Sequence, residues 1–192
     1  MQKLILGRYT RQGLWSLFLM CALPLHAWTL VLAFRDLSWL TDRTNAWDAV
    51  GVLCYGLLFA FIESVIVFVI AALLGLLSPR RWAPDRRVGV LSILVLVLSL
   101  WAMAAQLFFL ADFQLPGGIL AFLVQSQHPL RVIYTVLPAF VGASFLVPVV
   151  LVARSQRGAR VMSAIIDRLG LLSTFYLVFD AAALVIVVIR NF

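Results

Sequence analysis

Five apolar stretches, each long enough to cross a bilayer, constrain this chain more than any other feature. They run from about Leu14 to Phe34, Ala49 to Leu77, Val88 to Ala111, Arg131 to Ala153 and Gly170 to Ile189. A hydrocarbon core about 30 Å thick takes about 20 apolar residues per helix. Inside it a backbone amide finds no water, so such stretches must satisfy their hydrogen bonds internally, as helices. The expected architecture is therefore all-α: a polytopic transmembrane helix bundle of five spans, one integral membrane domain over residues 1–192. Hydrophobic residues make up 64% of the chain and charged ones 12%, against roughly 45–50% and 25% in soluble domains. That composition excludes a soluble globular domain, a disordered tail and a disulfide scaffold. Cys21 and Cys54 lie inside apolar stretches and read as small buried hydrophobes.

The second stretch, about 29 residues, would be roughly 43 Å long as a helix. That exceeds the hydrocarbon core, so one end is expected to project into the headgroups. The first stretch reads as a retained helix rather than a cleavable signal. It exceeds 20 residues, holds Pro24 and His26, and lacks a clear small-x-small cleavage site.

Basic residues set the orientation of such a bundle. Lys3, Arg8, Arg11, Arg80, Arg81, Arg86, Arg87, Arg154, Arg157, Arg160 and Arg168 fall on one side, and Arg35, Arg43, Arg131 and Arg190 on the other. Eleven against four predicts an N-terminus inside and a C-terminus outside, with Asp36, Asp42 and Asp48 outside. The net charge of +7 is thus an orientation signal and no sign of nucleic acid, because no basic residues alternate with aromatics over an exposed face. Arg80, Arg81, Arg86 and Arg87 are the candidates for contact with anionic lipid headgroups on the inner side. The expected setting is a bacterial-type cytoplasmic membrane.

Two connectors read as more than loops. Pro116, Gly117 and Gly118 break the chain, and residues 119–127 then form a short interfacial helix. On the inner side Val161, Met162, Ile165, Ile166 and Leu169 recur at helical spacing, predicting an amphipathic helix over 158–169 that lies along the membrane or caps the bundle.

Polar groups at membrane depth carry the functional information. Glu63 and Asp180 lie at the middles of the second and fifth spans, His26 near the middle of the first, and Gln106 in the outer half of the third. An ionised carboxylate at the bilayer centre costs about 2.5–3.5 kcal/mol on insertion scales, so each must be paired, protonated or watered. Ser173, Tyr176 and Asp180 share a helix face, as do Ser92, Ser99 and Gln106, and again Tyr55, Phe59 and Glu63. The expectation is a polar seam where these faces meet, with His26 as the partner of a carboxylate. Ala71 with Gly75, and Ala139 with Gly142 and Ala143, resemble small-residue helix-packing motifs, a spacing common by chance in so apolar a chain, and no function is assigned to them.

No HExxH, GxSxG, GxGxxG or P-loop sequence occurs. No cofactor or metal is expected, and the balance leans against an enzyme. The leading expectation is a non-catalytic subunit, anchor or assembly partner of a larger membrane or envelope complex, with a protein partner in the membrane. The alternative is a small proton- or cation-linked transporter or channel component using Glu63, Asp180 and His26. A second alternative is an enzyme on a lipid-linked substrate, in which inner arginines hold a phosphate and a carboxylate acts as base. Its weakness is depth: Glu63 lies about 20 Å from the arginine cluster by helix rise.

Overall fold

A computed structural model describes residues 8–79, 81–111 and 114–192. Among them every regular element is a helix. In chain order these are α1 (Arg11–Arg35), α2 (Leu37–Arg43), α3 (Ala46–Leu77), α4 (Pro84–Leu110), α5 (Gly117–Gln125), α6 (Pro129–Arg154) and α7 (Gln156–Asn191). Five of them, α1, α3, α4, α6 and α7, are long and apolar enough to cross a membrane. The chain is a multi-pass membrane helix bundle.

Local chemistry sets the helix starts. Thr10 caps α1 by accepting from the Gly13 amide at 2.9 Å. Asn45 caps α3 by accepting from the Asp48 amide at 2.8 Å, and its own amide group holds the Asp48 carboxylate. Pro84 and Pro129 occupy the first turns of α4 and α6, where the missing N–H costs nothing. Ser155 caps α7 through the Gly158 amide. α1, α3, α4 and α6 thus begin two to four residues before the apolar stretch that announced each, and α7 begins well before its own. The short α2 lies in the connector after the first span, where the apolar pattern gives no helix signal.

The helix expected over 158–169 is present, and it runs without a break into the fifth span as the first third of α7. Met162 and Ile166 are buried in the main core, while Val161 and Ile165 are exposed. This segment therefore caps the bundle with half of its apolar stripe. The interfacial helix expected near 119–127 is α5, which buries no residue.

α1 is the central helix and packs against α3, α4 and α7. Half of its most apolar stretch is buried, against 6% of that of α6. α6 sits at the periphery on α4 and α7, pinned by Trp101 Nε1, which donates to Ser144 Oγ at 2.9 Å. The core falls into two clusters. One holds Leu17, Met20, Cys21, Leu91, Val95, Met162 and Ile166. The smaller holds Cys54, Leu57 and Ala183, with Leu30 and Ile186 against it. On α1 the gap between them contains His26, and on α7 it contains Asp180.

Candidate functional site

His26 is fully buried and Asp180 is 6% exposed. His26 Nε2 lies 3.0 and 2.9 Å from the two carboxylate oxygens of Asp180. On the far side of the ring, Nδ1 lies 2.8 Å from the Ala22 carbonyl oxygen. A carbonyl only accepts, so Nδ1 carries a hydrogen. Nε2 and the carboxylate then have one proton between them: an imidazolium facing a carboxylate, or a neutral imidazole accepting from a carboxylic acid. Either way the pair is neutral overall. That resolves the cost of an acid at membrane depth. Tyr176, one helical turn before Asp180, stacks on the imidazole with ring centroids 5.7 Å apart and planes 6° from parallel.

Depth follows from helix rise. His26 is 15 residues from Arg11 and nine from Arg35, or about 22 Å and 14 Å along α1. The pair thus lies inside the hydrocarbon region.

Asp180 also lines a groove of about 1060 Å³ between α1, α3 and α7. Its walls include Leu14, Trp15 and Phe18 from α1, Phe61, Val65 and Phe68 from α3, and Leu177 and Leu184 from α7, with Arg11 at the end nearest the N-terminus. A carboxylate offers about four lone-pair sites, and His26 engages only one donor there. Acceptor capacity is therefore left on Asp180.

Three of the five intramembrane candidates, His26, Tyr176 and Asp180, come together. Glu63 and Gln106 do not join the expected seam. Glu63 is exposed on the outer side of α3, along with Phe59. The inward face of α3 is instead Cys54, Leu57, Ala60 and Ser64. The small residues at 60 and 64 were the available signal, because membrane helices approach closely through small side chains. Gln106 is exposed because α4 buries only residues between Arg87 and Val95, so its far half stands outside the core. Of its expected companions, Ser92 is fully buried and Ser99 half-buried.

The headgroup arginines divide as well. Arg80 lies outside the described residues. Arg81 is exposed and Arg86 half-buried. Arg87 corrects the expectation: it is 2% exposed and unavailable to a headgroup. Its Nε donates to Ser78 Oγ at 2.6 Å, and its Nη atoms donate to the carbonyls of Arg8, Pro79 and Trp82. Its guanidinium also sits over the Tyr9 ring at 5.6 Å. Arg8 donates to the Leu76 and Ser78 carbonyls, and Tyr9 to that of Ala72. Together these residues close the C-terminus of α3, where unpaired carbonyls and the helix dipole favour a cation. At the opposite end of the bundle Arg190 holds the Asp48 carboxylate and the Trp47 carbonyl. Arg8 and Arg190 thus lie at opposite ends of the bundle.

Among the described residues no group of three His, Cys, Asp or Glu side chains is placed to hold a metal ion. No protein-family model, curated protein or solved structure matches this chain. The fold and the pair define its class as a five-span helical membrane protein with a buried histidine–aspartate pair.

Proposed function

We propose that this chain is a small proton-linked transporter or channel component whose working group is the His26–Asp180 pair. One observation carries the reading: the carboxylate that shares a proton with His26 also lines a groove open to the bilayer. At rest the pair is neutral. A proton arriving along the groove adds to a free lone pair of Asp180, giving an imidazolium beside a carboxylic acid. That state has a net charge of +1 at a depth where an isolated charge costs about 2.5–3.5 kcal/mol, so it releases a proton and returns to neutral. One proton enters and one leaves. Glu63, which the sequence grouped with the pair, has no part in this step.

Proteoliposomes with an internal pH dye and a potassium diffusion potential test it. The wild type should acidify faster than empty liposomes, with the rate depending on pH. Asp180→Asn and His26→Gln should fall to the empty-liposome rate, while Glu63→Gln keeps the wild-type rate. Wild-type flux at background, or full flux in Asp180→Asn, would remove the proposal.

In this reading the N-terminal, arginine-rich end faces inward in a bacterial-type cytoplasmic membrane, on the strength of the eleven-to-four distribution of basic residues. A cysteine placed at Ser126 should then react with an impermeant thiol reagent in intact cells, and one placed at Ser155 should not.

The subunit reading keeps one specific support. Glu63 is exposed at mid-span without a hydrogen-bond or ion-pair partner among the described residues, which is what a contact with another membrane protein would explain. The lipid-linked enzyme gains nothing comparable, since the buried acid lies far from Arg81 and Arg86.

A further inference from the structure

The groove has a polarity and a length. Arg11, at its outer end, stands in the first turn of α1; it is exposed and has no ion-pair partner among the described residues. The N-terminus of α1 adds its own preference for negative charge. From Arg11 the walls are apolar and aromatic down to Asp180, which is level with His26 and so about 22 Å deeper along α1. Half of a bilayer, headgroups included, is about 20–22 Å. That stretch of the groove matches one leaflet, with a cation at headgroup level and hydrocarbon-compatible walls below it, and Leu58 and Leu184 carry the groove about one helical turn past Asp180. Its three walls repeat at helical spacing. Arg11, Leu14 and Phe18 face it from α1, Phe61, Val65 and Phe68 from α3, and Leu177, Asp180 and Leu184 from α7.

We propose that this groove is a binding site for an anionic phospholipid of the leaflet on the N-terminal side. Arg11 holds the phosphate, and one acyl chain lies along Trp15, Phe18 and Phe68 and reaches Asp180. Occupancy covers the open side of that carboxylate, so the proton route proposed above is open only while the groove is empty. The lipid keeps the orientation it has in the bilayer, so binding requires only lateral diffusion into the groove. This assignment differs from the arginines that the sequence pointed to: Arg87 is committed to the end of α3, and Arg81 and Arg86 do not line the groove. It rests on the geometry of the groove and stands whether or not the pair carries protons.

The test is lipid retention by the full chain. Purified protein is exchanged into nanodiscs containing equal amounts of phosphatidylglycerol and phosphatidylcholine with identical acyl chains, then released and read by native mass spectrometry. One phosphatidylglycerol per chain should be retained in preference to phosphatidylcholine. Arg11→Gln should reduce that preference about fivefold, the size of one basic contact at an anionic surface, while an Arg81→Gln/Arg86→Gln double variant leaves it unchanged. Ala181→Trp, which fills the groove, should abolish retention of both lipids. Equal retention of the two lipids by the wild type, an undiminished preference in Arg11→Gln, or a retained lipid in a folded Ala181→Trp protein would each overturn the proposal. Thermal melting of every variant separates loss of the site from loss of the fold. Val65→Trp, which enters the groove from α3, is the second filling variant if Ala181→Trp does not fold.

Discussion

Arg87 carries a guanidinium that is 2% exposed and meets no carboxylate among the described residues. The Ser78 hydroxyl, three carbonyl oxygens and the Tyr9 ring satisfy it instead, so its charge is held by the turn after α3 and the backbone of Arg8 rather than by an ion pair. Tyr9 completes this arrangement, and burial raises its hydroxyl pKa above the ordinary value of 10.0 while Arg87 and Arg8 pull it the other way. The sign of the pH effect follows. The folded state favours the neutral phenol, so above pH 10 the unfolded chain binds fewer protons at this site and stability falls as pH rises. Below that range the contribution is complete. Tyr9→Phe also removes the hydrogen bond to the Ala72 carbonyl, at about 0.5–1.5 kcal/mol. Its melting temperature in detergent should lie below that of the wild type at pH 8, and the gap should narrow between pH 10 and 11. A gap that stays constant with pH would show that Tyr9 does not titrate there. Nothing in the sequence separates Arg87 from Arg86. In a helix as uniformly apolar as α4, no amphipathic period shows which of two neighbouring arginines turns inward. His26 and Asp180 were legible for the opposite reason: a polar residue inside a hydrocarbon-length stretch demands a partner, and few were available.

At the scale of elements, the two small-residue motifs carry the same sequence signal and have opposite fates. A Cβ added at Gly75 would collide with the Tyr9 hydroxyl and come within 2.7 Å of Leu91 Cδ1. The close approach of α3 to its neighbours depends on that missing carbon. A Cβ at Gly142 would meet nothing within 4 Å, because that side of α6 faces away from the bundle. Gly75→Ala should therefore cost about 1–3 kcal/mol through overpacking, and Gly142→Ala should leave stability unchanged or raise it by up to about 1 kcal/mol, since alanine is the better helix former. Denaturation in mixed micelles measures both. Equal effects would mean that the two helices are packed alike. The five spans were legible from length and hydropathy alone, since hydrocarbon leaves a chain few ways to satisfy its backbone. Which face of each span turns inward was much less so. On α3 the aromatic and acidic residues at 55, 59 and 63 made a persuasive stripe, yet the small residues at 60, 64, 71 and 75 set the packing. Likewise the amphipathic helix over 158–169 was legible, but not its continuity with the fifth span, because Gly170 at the junction reads as a break and is instead tolerated inside α7.

For the whole molecule, broad apolar exposure is the normal surface of a bundle that lies in lipid. Phe59, Ile62, Ile66 and Ile70 on α3, between 53% and 65% exposed, fit that environment. Glu63 among them does not. Left ionised against acyl chains it would cost about 2.5–3.5 kcal/mol, and the chain offers it no partner among the described residues. Two arrangements remove that cost: protonation at the lipid surface, or a second membrane protein that presents a hydrogen-bond donor or a basic side chain at the same depth. They differ in what accompanies the protein out of native membranes. If a partner holds Glu63, gentle detergent extraction should bring down one stoichiometric membrane protein with a Lys, Arg, His or amide side chain near the middle of a span. Glu63→Leu should then release it while the His26–Asp180 pair and the melting temperature stay as they are. A wild-type protein that emerges alone, or a partner retained by Glu63→Leu, would leave protonation as the account of Glu63. The lateral surface of α3 would then belong to lipid along its whole length, and the groove beside it, with Asp180 in its wall, would be the bundle's remaining candidate for chemistry.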